Sequence, residues 1–248
     1  MSTAQGPAAV ADLIIDIGSN NGDDIPYYLF KASRVVAVEP NPALCDLIRQ
    51  RFEEPIREGR LFVENVAVVA TEQSSVDFYV HNHHHVLSSL SVDDSNASQF
   101  TKLTVNAITI HELVRRYGSP YYIKIDVEGH DEILLRSLVE HQIKPPYISA
   151  ESHKLGVFAL LSETMGYQSF KLVDGRSVGH SYSRALFRSP ILGKTVAYSF
   201  PHHSAGPFGN DIFGEWMDKS TLLRQLAIQG LGWRDIHASS VDEPTLKV

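Results

Sequence analysis

The chain has 248 residues, of which 43% are hydrophobic and 21% are charged, and its formal net charge is −7 at pH 7. This composition is typical of a globular protein with a hydrophobic core. Because a negative chain without a basic stripe cannot neutralise phosphates, we expect no nucleic-acid partner.

Three further features narrow the class of protein. A single cysteine, Cys45, excludes an intrachain disulfide framework and a cysteine-cluster metal site. No apolar run approaches about 18 residues, so we expect no membrane-spanning helix. Residues 1–11 have no basic start and no long apolar stretch, so we interpret them as a short flexible leader with the cytoplasm as the default location.

Apolar runs alternate with segments of helical period, which predicts βαβ units and a mainly parallel sheet. Strands are predicted at 13–17, 34–38, 61–66, 76–80, 121–126, 147–151, 168–173 and 194–200. Helices are predicted at 24–31, 41–52, 109–116, 130–140, 154–165 and 219–229. The chain shows no repeat and no linker, so we predict one domain over 1–248, with a core at about 12–175 and a sheet edge, loop and helix at about 176–248.

The first of these units contains a glycine turn between a strand and a helix. In LIIDIGSNNG the strand ends at Asp16, and Gly18 and Gly22 follow. Glycines let the backbone approach a ligand closely because they carry no Cβ. The next strand leads to Glu39, which is placed to accept hydrogen bonds from both hydroxyls of a ribose. This arrangement predicts the nucleoside-binding half of a doubly wound α/β sheet.

The residue pattern of the turn indicates which nucleoside ligand it suits. It reads D-x-G-x-x-x-G and lacks the glycine pair of the dinucleotide-binding G-x-G-x-x-G. An acid such as Asp16 at its start suits a cationic amino-acid end, as in S-adenosylmethionine, although Asp16 would also serve to cap the turn. Ser19, Asn20 and Asn21 offer donors to a carboxylate, and the two asparagines also tolerate left-handed backbone. The turn resembles motif I of class I methyltransferases.

A second segment makes the resemblance more specific. YYIKIDVEGHDEILLRSL, residues 121–138, is similar to the K-I-D-V-E-G-x-E signature of the FkbM-type methyltransferase family, with Asp131 as the second acid. It follows VNAITIHELVRRYG, which is similar to that family's strand-and-helix lead-in, and DIGSNNG matches its D-x-G-A-N-x-G with Ser19 in place of alanine. The resemblance runs from about residue 12 to 175.

The resemblance implies a Rossmann-like, doubly wound and mainly parallel seven-stranded sheet, and methyl transfer from S-adenosylmethionine to a hydroxyl on a sugar or natural product, with S-adenosylhomocysteine as the product. The residues expected to bind the cofactor are Asp16, Gly18, Ser19, Asn20, Gly22, Glu39, Pro40, Asn65, Ala67, Asp126 and Glu128. The alternatives are that Asn65 caps a strand and that Asp126 pairs with Lys124.

The segment YISAESHK predicts the catalytic residues. Its strand ends at Glu151 and His153, and we expect it to lie beside the strand that ends at Asp126. Histidine suits proton abstraction near neutral pH, so His153 is the expected base, with Glu151 and Asp126 in the same pocket. The alternatives are that His153 is an ordinary surface or core histidine, or that His203 in PHHSAGPFG is the base.

Irregular segments at 81–100, 174–193 and 201–218 are longer than ordinary connections, so we predict that they form lids over the ligand. Within the first, the histidines of HNHHH at 81–85 diverge and are not expected to hold a metal. No metal cofactor is expected, although carboxylates near Asp126 leave a magnesium-assisted reaction open. Other interpretations are a nicotinamide-dependent oxidoreductase and a non-catalytic cofactor-binding module. The sequence names no acceptor and no oligomeric state.

Overall fold

The computed structural model describes residues 11–83, 88–201, 204–241 and 245–246. The strands are β1 (Ala11–Ile17), β2 (Ala32–Val38), β3 (Leu61–Glu64), β4 (Ala67–Val69), β5 (Ser75–His81), β6 (Phe100–Thr109), β7 (Tyr122–Ile125), β8 (Tyr147–Glu151), β9 (Ser169–Asp174), β10 (Ala185–Ser189), β11 (Lys194–Tyr198), β12 (Trp216–Met217), β13 (Arg234–Ser239) and β14 (Thr245–Leu246). The helices are α1 (Ile25–Lys31), α2 (Pro42–Arg51), α3 (Glu53–Arg57), α4 (Ile110–Tyr117), α5 (Asp131–Glu140), α6 (Leu155–Ala159, followed by a π-helical turn, Leu160–Thr164), α7 (Val178–Ser181) and α8 (Lys219–Gln229).

The main sheet has the strand order β14-β12-β9-β13-β8-β7-β1-β2-β3. The strands from β8 to β3 pair in parallel, whereas β13 pairs antiparallel with both β8 and β9. The predicted α/β class with a large, mainly parallel sheet is confirmed. The described part of the sheet has nine strands, and not seven, because short edge strands β12 and β14 extend it.

Two predicted strands do not join the main sheet. The strand predicted at 76–80 is β5, which pairs antiparallel with β6 in a separate sheet of order β4-β6-β5. The strand predicted at 194–200 is β11, which forms a hairpin with β10. In each case an antiparallel neighbour nearby in the chain satisfies the strand's hydrogen bonds locally.

The C-terminal strand β13 was not predicted, although Ile236 and Ala238 on it are fully buried. It enters the sheet between β8 and β9. Therefore 176–248 supplies an interior strand of the sheet as well as its edge.

Hydrophobic cores lie on both faces of the main sheet. On β1, Leu13 and Ile15 face a core that includes Leu222 of α8. The intervening residue, Ile14, faces the other core, which includes Tyr27 of α1. This alternation follows from the period of two along a strand, and burial on both faces explains the continuous apolar run of β1.

Local capping residues define where several helices begin. The Asn41 side chain accepts from the Ala43 amide at the start of α2, and Thr109 accepts from the Glu112 amide at the start of α4. The second contact belongs to a threonine-x-x-glutamate capping sequence. None of the described helices combines the length and the apolar character that crossing a bilayer requires.

Candidate active site

A cavity of about 430 Å³ opens where β1, β2, β7 and β8 end. The carboxyl ends of parallel strands are where open α/β sheets bind ligands, and this volume is that of a small-molecule site. The predicted site residues that line the cavity are Gly18, Ser19, Asn20, Glu39, Pro40, Ala67, Asp126, Glu128, Glu151 and His153. Those outside the lining are Asp16, Gly22 and Asn65.

The predicted lid segments differ in position. Ser88, Ser89 and Leu90 of the first segment line the cavity, and the Ser89 hydroxyl donates to the Glu128 carbonyl at 3.2 Å. In contrast, no described residue of 174–193 or 201–218 lines it. Aromatic residues from these two segments instead pack on Tyr27 of α1, because that face of the sheet offers a second apolar core.

The glycine turn is held against the end of β7. Gly18 has φ of +86°, and a Cβ on it would lie 1.9 Å from the Asp126 carbonyl oxygen. Its amide and that of Ser19 donate to the Val38 carbonyl at the end of β2. Gly22 also has positive φ, but a Cβ there would meet side chains of the core beneath the turn, Ile25 among them. Gly18 therefore keeps β1, β2 and β7 together at the cavity.

Glu39 is fixed by the backbone on both sides. One carboxylate oxygen accepts from the Asn20 amide at 2.9 Å and the other from the Asn41 amide at 2.8 Å. Burial raises the pKa of Glu39 to about 7 in spite of these two donors. Asn20 has φ of 50°, and its side-chain oxygen is buried in the cavity wall without a hydrogen-bond partner in the described residues. A buried acceptor and a fixed carboxylate on one wall fit the polar groups of a nucleoside.

Asp16 lies beneath the cavity and not in its wall. Its carboxylate is 3.4 Å from the Lys124 ammonium, which is also 3.2 Å from Asp126. Burial raises the pKa of Asp16. Burial alone would lower the pKa of Lys124, but the surrounding carboxylates, Asp126 first, raise it well above its usual value. The pairing of Lys124 with Asp126 left open by the sequence is therefore present, and Asp126 still faces the cavity with a side chain 36% exposed.

An apolar part of the cavity wall comes largely from the small sheet of β4, β5 and β6. Ala67, Phe78 and Leu90 line it, and the last two were missing from the predicted site. Asn65 donates to the carbonyls of Glu39 and Pro40 at 3.0 and 2.9 Å, so it fixes the loop behind this wall. The alternation of apolar residues in the segment 75–81 was a signal for Phe78, but nothing local indicates that β5 turns toward the cavity.

Glu151 and His153 meet at the end of β8, which β7 and β1 separate from the end of β2 where Glu39 lies. His153 Nε2 lies 2.7 Å from Glu151 Oε2, yet that oxygen does not meet the geometry of a hydrogen bond with any described donor. Burial, followed by the charges of Asp126 and Asp235, raises the pKa of Glu151 well above its usual value. Glu128 has φ of 42°, and burial raises its pKa to about 7.

Glu128, Glu151 and His153 each offer a ligand atom within 4.8 Å of the others, a spacing that suits a cation. The histidine run at 81–85 gave no indication of this group. His84 and His85 of that run lie outside the described residues, and so do His202 and the alternative base His203. Trp233, also unpredicted, lines the same end of the cavity.

A glycine turn on the first strand, a carboxylate after the second and a cavity at the strand ends define a Rossmann-like fold of the class I methyltransferase type. The family model for the methyltransferase FkbM domain matches residues 16–167. The chain belongs to this family, as the sequence motifs predicted, and membership implies the use of S-adenosylmethionine.

Solved structures give weaker likenesses. The methyltransferase FkbM from Methylobacillus flagellatus KT shows 16% identity and a TM-score of 0.44 over 65% of this chain and 40% of that one. This chain thus spans two fifths of that protein's length. The C-terminal domain of precorrin-6Y C5,15-methyltransferase from Rhodobacter capsulatus shows 12% identity and a TM-score of 0.41 over 93% and 80%. At these TM-scores neither likeness carries an argument about function. The comparison with curated proteins found no significant match.

Proposed function

We propose that the protein methylates a hydroxyl group on a sugar or natural-product acceptor, with S-adenosylmethionine as the methyl donor. One observation carries the proposal: the nucleoside-type wall with Glu39 and the paired Glu151 and His153 face the same cavity. Binding groups and a proton acceptor at opposite ends of one cavity are what transfer between two bound molecules requires.

The residues present fit the methyl donor. Glu39 is placed for the ribose hydroxyls, Asn20 adds an unpartnered buried acceptor, and Phe78 with Leu90 offers apolar surface to an adenine ring. Asp126 presents negative charge toward the cationic end of the ligand, and Lys124 holds that carboxylate in place. When bound, S-adenosylmethionine supplies an electrophilic methyl group, so the protein's contribution is positioning and removal of the acceptor's proton.

His153 and Glu151 are proposed to remove that proton. We assign to neutral His153 the tautomer with its proton on Nε2, the ring nitrogen that lies 2.7 Å from Glu151 Oε2. That tautomer leaves the lone pair on Nδ1 to accept the hydroxyl proton, and the histidine then becomes an imidazolium. The carboxylates of Glu151 and Asp126 then stabilise the imidazolium that forms.

The test is methyl transfer by the purified chain from S-adenosylmethionine labelled in its methyl group. A panel of saccharides and hydroxylated natural products is offered, and mass spectrometry with NMR locates the added methyl. We expect a methyl ether and one S-adenosylhomocysteine per ether formed, with none in the absence of acceptor. Failure to bind S-adenosylhomocysteine in calorimetry would refute the proposal. So would hydride transfer from a nicotinamide cofactor, or transfer of the methyl to carbon or nitrogen.

A further inference from the structure

The acceptor end of the cavity, where Glu128, Glu151 and His153 lie, has more carboxyl groups than lysine or arginine side chains to pair with them. Asp126 is paired with Lys124. Among the described residues that line the cavity, Lys124 is the only lysine or arginine. The carboxyl group of Glu128 has neither a hydrogen bond nor an ion pair with any described side chain. Burial, followed by the charges of Asp126 and Asp131, raises its pKa. Thus a carboxylate without a counter-charge lines this end.

Glu151 adds an independent observation that points to a ligand. Its side chain is only 5% exposed and lines the cavity, and its Oε2 is buried without a hydrogen bond from the described residues. Leaving such an oxygen unsatisfied is costly, and a donor entering from the cavity would remove that cost. His153 approaches it to 2.7 Å but is itself 38% exposed, so its ring also reaches the open part of the cavity.

An aromatic wall completes this end. A Cβ on Gly175 would lie 2.4 Å from the Trp233 indole nitrogen, so the indole packs directly on the glycine backbone. The backbone of Ser152 bonds to Gly232 and Arg234 on either side of Trp233, which keeps the indole beside Glu151 and His153. An aromatic ring beside carboxylates is a favourable surface for a protonated amine and for the carbon face of a saccharide ring.

We propose that the acceptor is an amino alcohol, which in the case of a saccharide is an amino sugar. This inference rests on the proposed function. Its protonated amine binds between Glu128 and Glu151, and its hydroxyl faces His153. Because the ligand atoms of these three residues lie within 4.8 Å of one another, the amine and the methylated hydroxyl stand on adjacent carbons or one carbon apart. The amine supplies the missing counter-charge and donates to the unsatisfied oxygen of Glu151.

The experiment compares matched ligands on the enzyme saturated with S-adenosylhomocysteine. The probes are methyl 2-amino-2-deoxyglucoside against methyl glucoside and its N-acetylated form, and trans-2-aminocyclohexanol against trans-1,2-cyclohexanediol. We expect the amine of each set to bind at least about tenfold more tightly in calorimetry, as a charge-assisted hydrogen bond requires. Glu128→Gln should reduce that ratio to about one. Glu151→Gln serves as a second variant, and Glu54→Gln, which removes an exposed carboxylate on α3, should leave the ratio unchanged.

The outcomes separate this inference from the function on which it rests. Loss of S-adenosylhomocysteine binding would refute the function itself. Intact binding of S-adenosylhomocysteine with no amine preference in either set, or a preference that survives both variants, would overturn this inference alone. It would also be overturned if manganese or magnesium occupied the site and a chelator abolished turnover, because the counter-charge would then be a metal. A methyl group found on the amine nitrogen would equally contradict it.

Discussion

Glu39 connects the backbone of the glycine turn with the cavity. It accepts one amide on each side, from Asn20 and Asn41, and still lines the wall where a ribose is expected. Glu39→Ala should therefore weaken S-adenosylhomocysteine binding by about 1–3 kcal/mol, the usual cost of losing a charged hydrogen-bond partner. Calorimetry measures this, with Asp46→Ala on the exposed side of α2 as the control. Unchanged affinity in the Glu39 variant would refute the ribose assignment.

His153 differs from Glu39 because it lies at the acceptor end of the cavity. If it accepts the hydroxyl proton, His153→Ala should lower the maximal rate by about 10²–10⁴-fold while cofactor affinity is unchanged. The control is His111→Ala, a histidine on α4 that stacks on His141 outside the cavity lining. A rate within about twofold of the parent would place the base elsewhere, with His203 as the next candidate.

At the scale of elements, the glycine turn joins three strands at the cavity. Gly18 needs positive φ and also leaves room for the Asp126 carbonyl at the end of β7. Gly59 also has a positive φ, of 70°, but a Cβ on it would meet nothing within 4 Å. An alanine at this position therefore measures the cost of the backbone conformation alone. We expect Gly59→Ala to cost about 1–2 kcal/mol of unfolding free energy.

Gly18→Ala should cost more than Gly59→Ala and should also abolish S-adenosylhomocysteine binding, because the turn must move away from β7. Urea denaturation with calorimetry on both variants measures the two effects. Equal destabilisation in the two variants, with binding retained, would mean that the turn and β7 do not need this close approach.

At the scale of the whole molecule, the fold buries more acid than base. Burial raises the pKa of Asp24 to about 6 and the pKa values of Glu39, Glu128 and Asp131 to about 7. These groups bind protons in the folded chain at a pH where the unfolded chain has released them. Their stabilising contribution is therefore full at low pH and is lost as pH rises through the folded values. Buried His237 acts in the opposite sense, because burial lowers its pKa to about 3.

The carboxyl groups outnumber that histidine, so the free energy of unfolding of the free protein should fall as pH rises from about 5 to 8. Urea denaturation at several pH values in this window measures the trend. Glu39→Ala, which removes one of the raised carboxyl groups, should show a smaller slope near pH 7. A stability that is constant or rises with pH would contradict the assignment of these groups as buried acids.

Local sequence information was sufficient for most elements of the fold. The strand and helix periods placed β1, β2, β7 and β8 and the helices after them, because amphipathic period and capping are properties of short segments. The two motifs predicted the family, which the match over residues 16–167 confirmed. They also predicted the glycine turn, Glu39 and Asp126, which line one cavity, although their contacts with a cofactor stay predictions.

Tertiary structure alone decided how distant segments meet. Parallel pairing brings Asp16 opposite Lys124, so an acid expected beside the cofactor is buried against a lysine beneath it. Phe78 reaches the cavity because β5 pairs with β6 in the small sheet and not with a strand of the main sheet. Glu151 meets His153 and Glu128 because β7 and β8 are neighbours. The sequence determined which side chains stand at the strand ends, since that depends on local period. Their partners depend on strand order and register, which non-local hydrogen bonds and packing select.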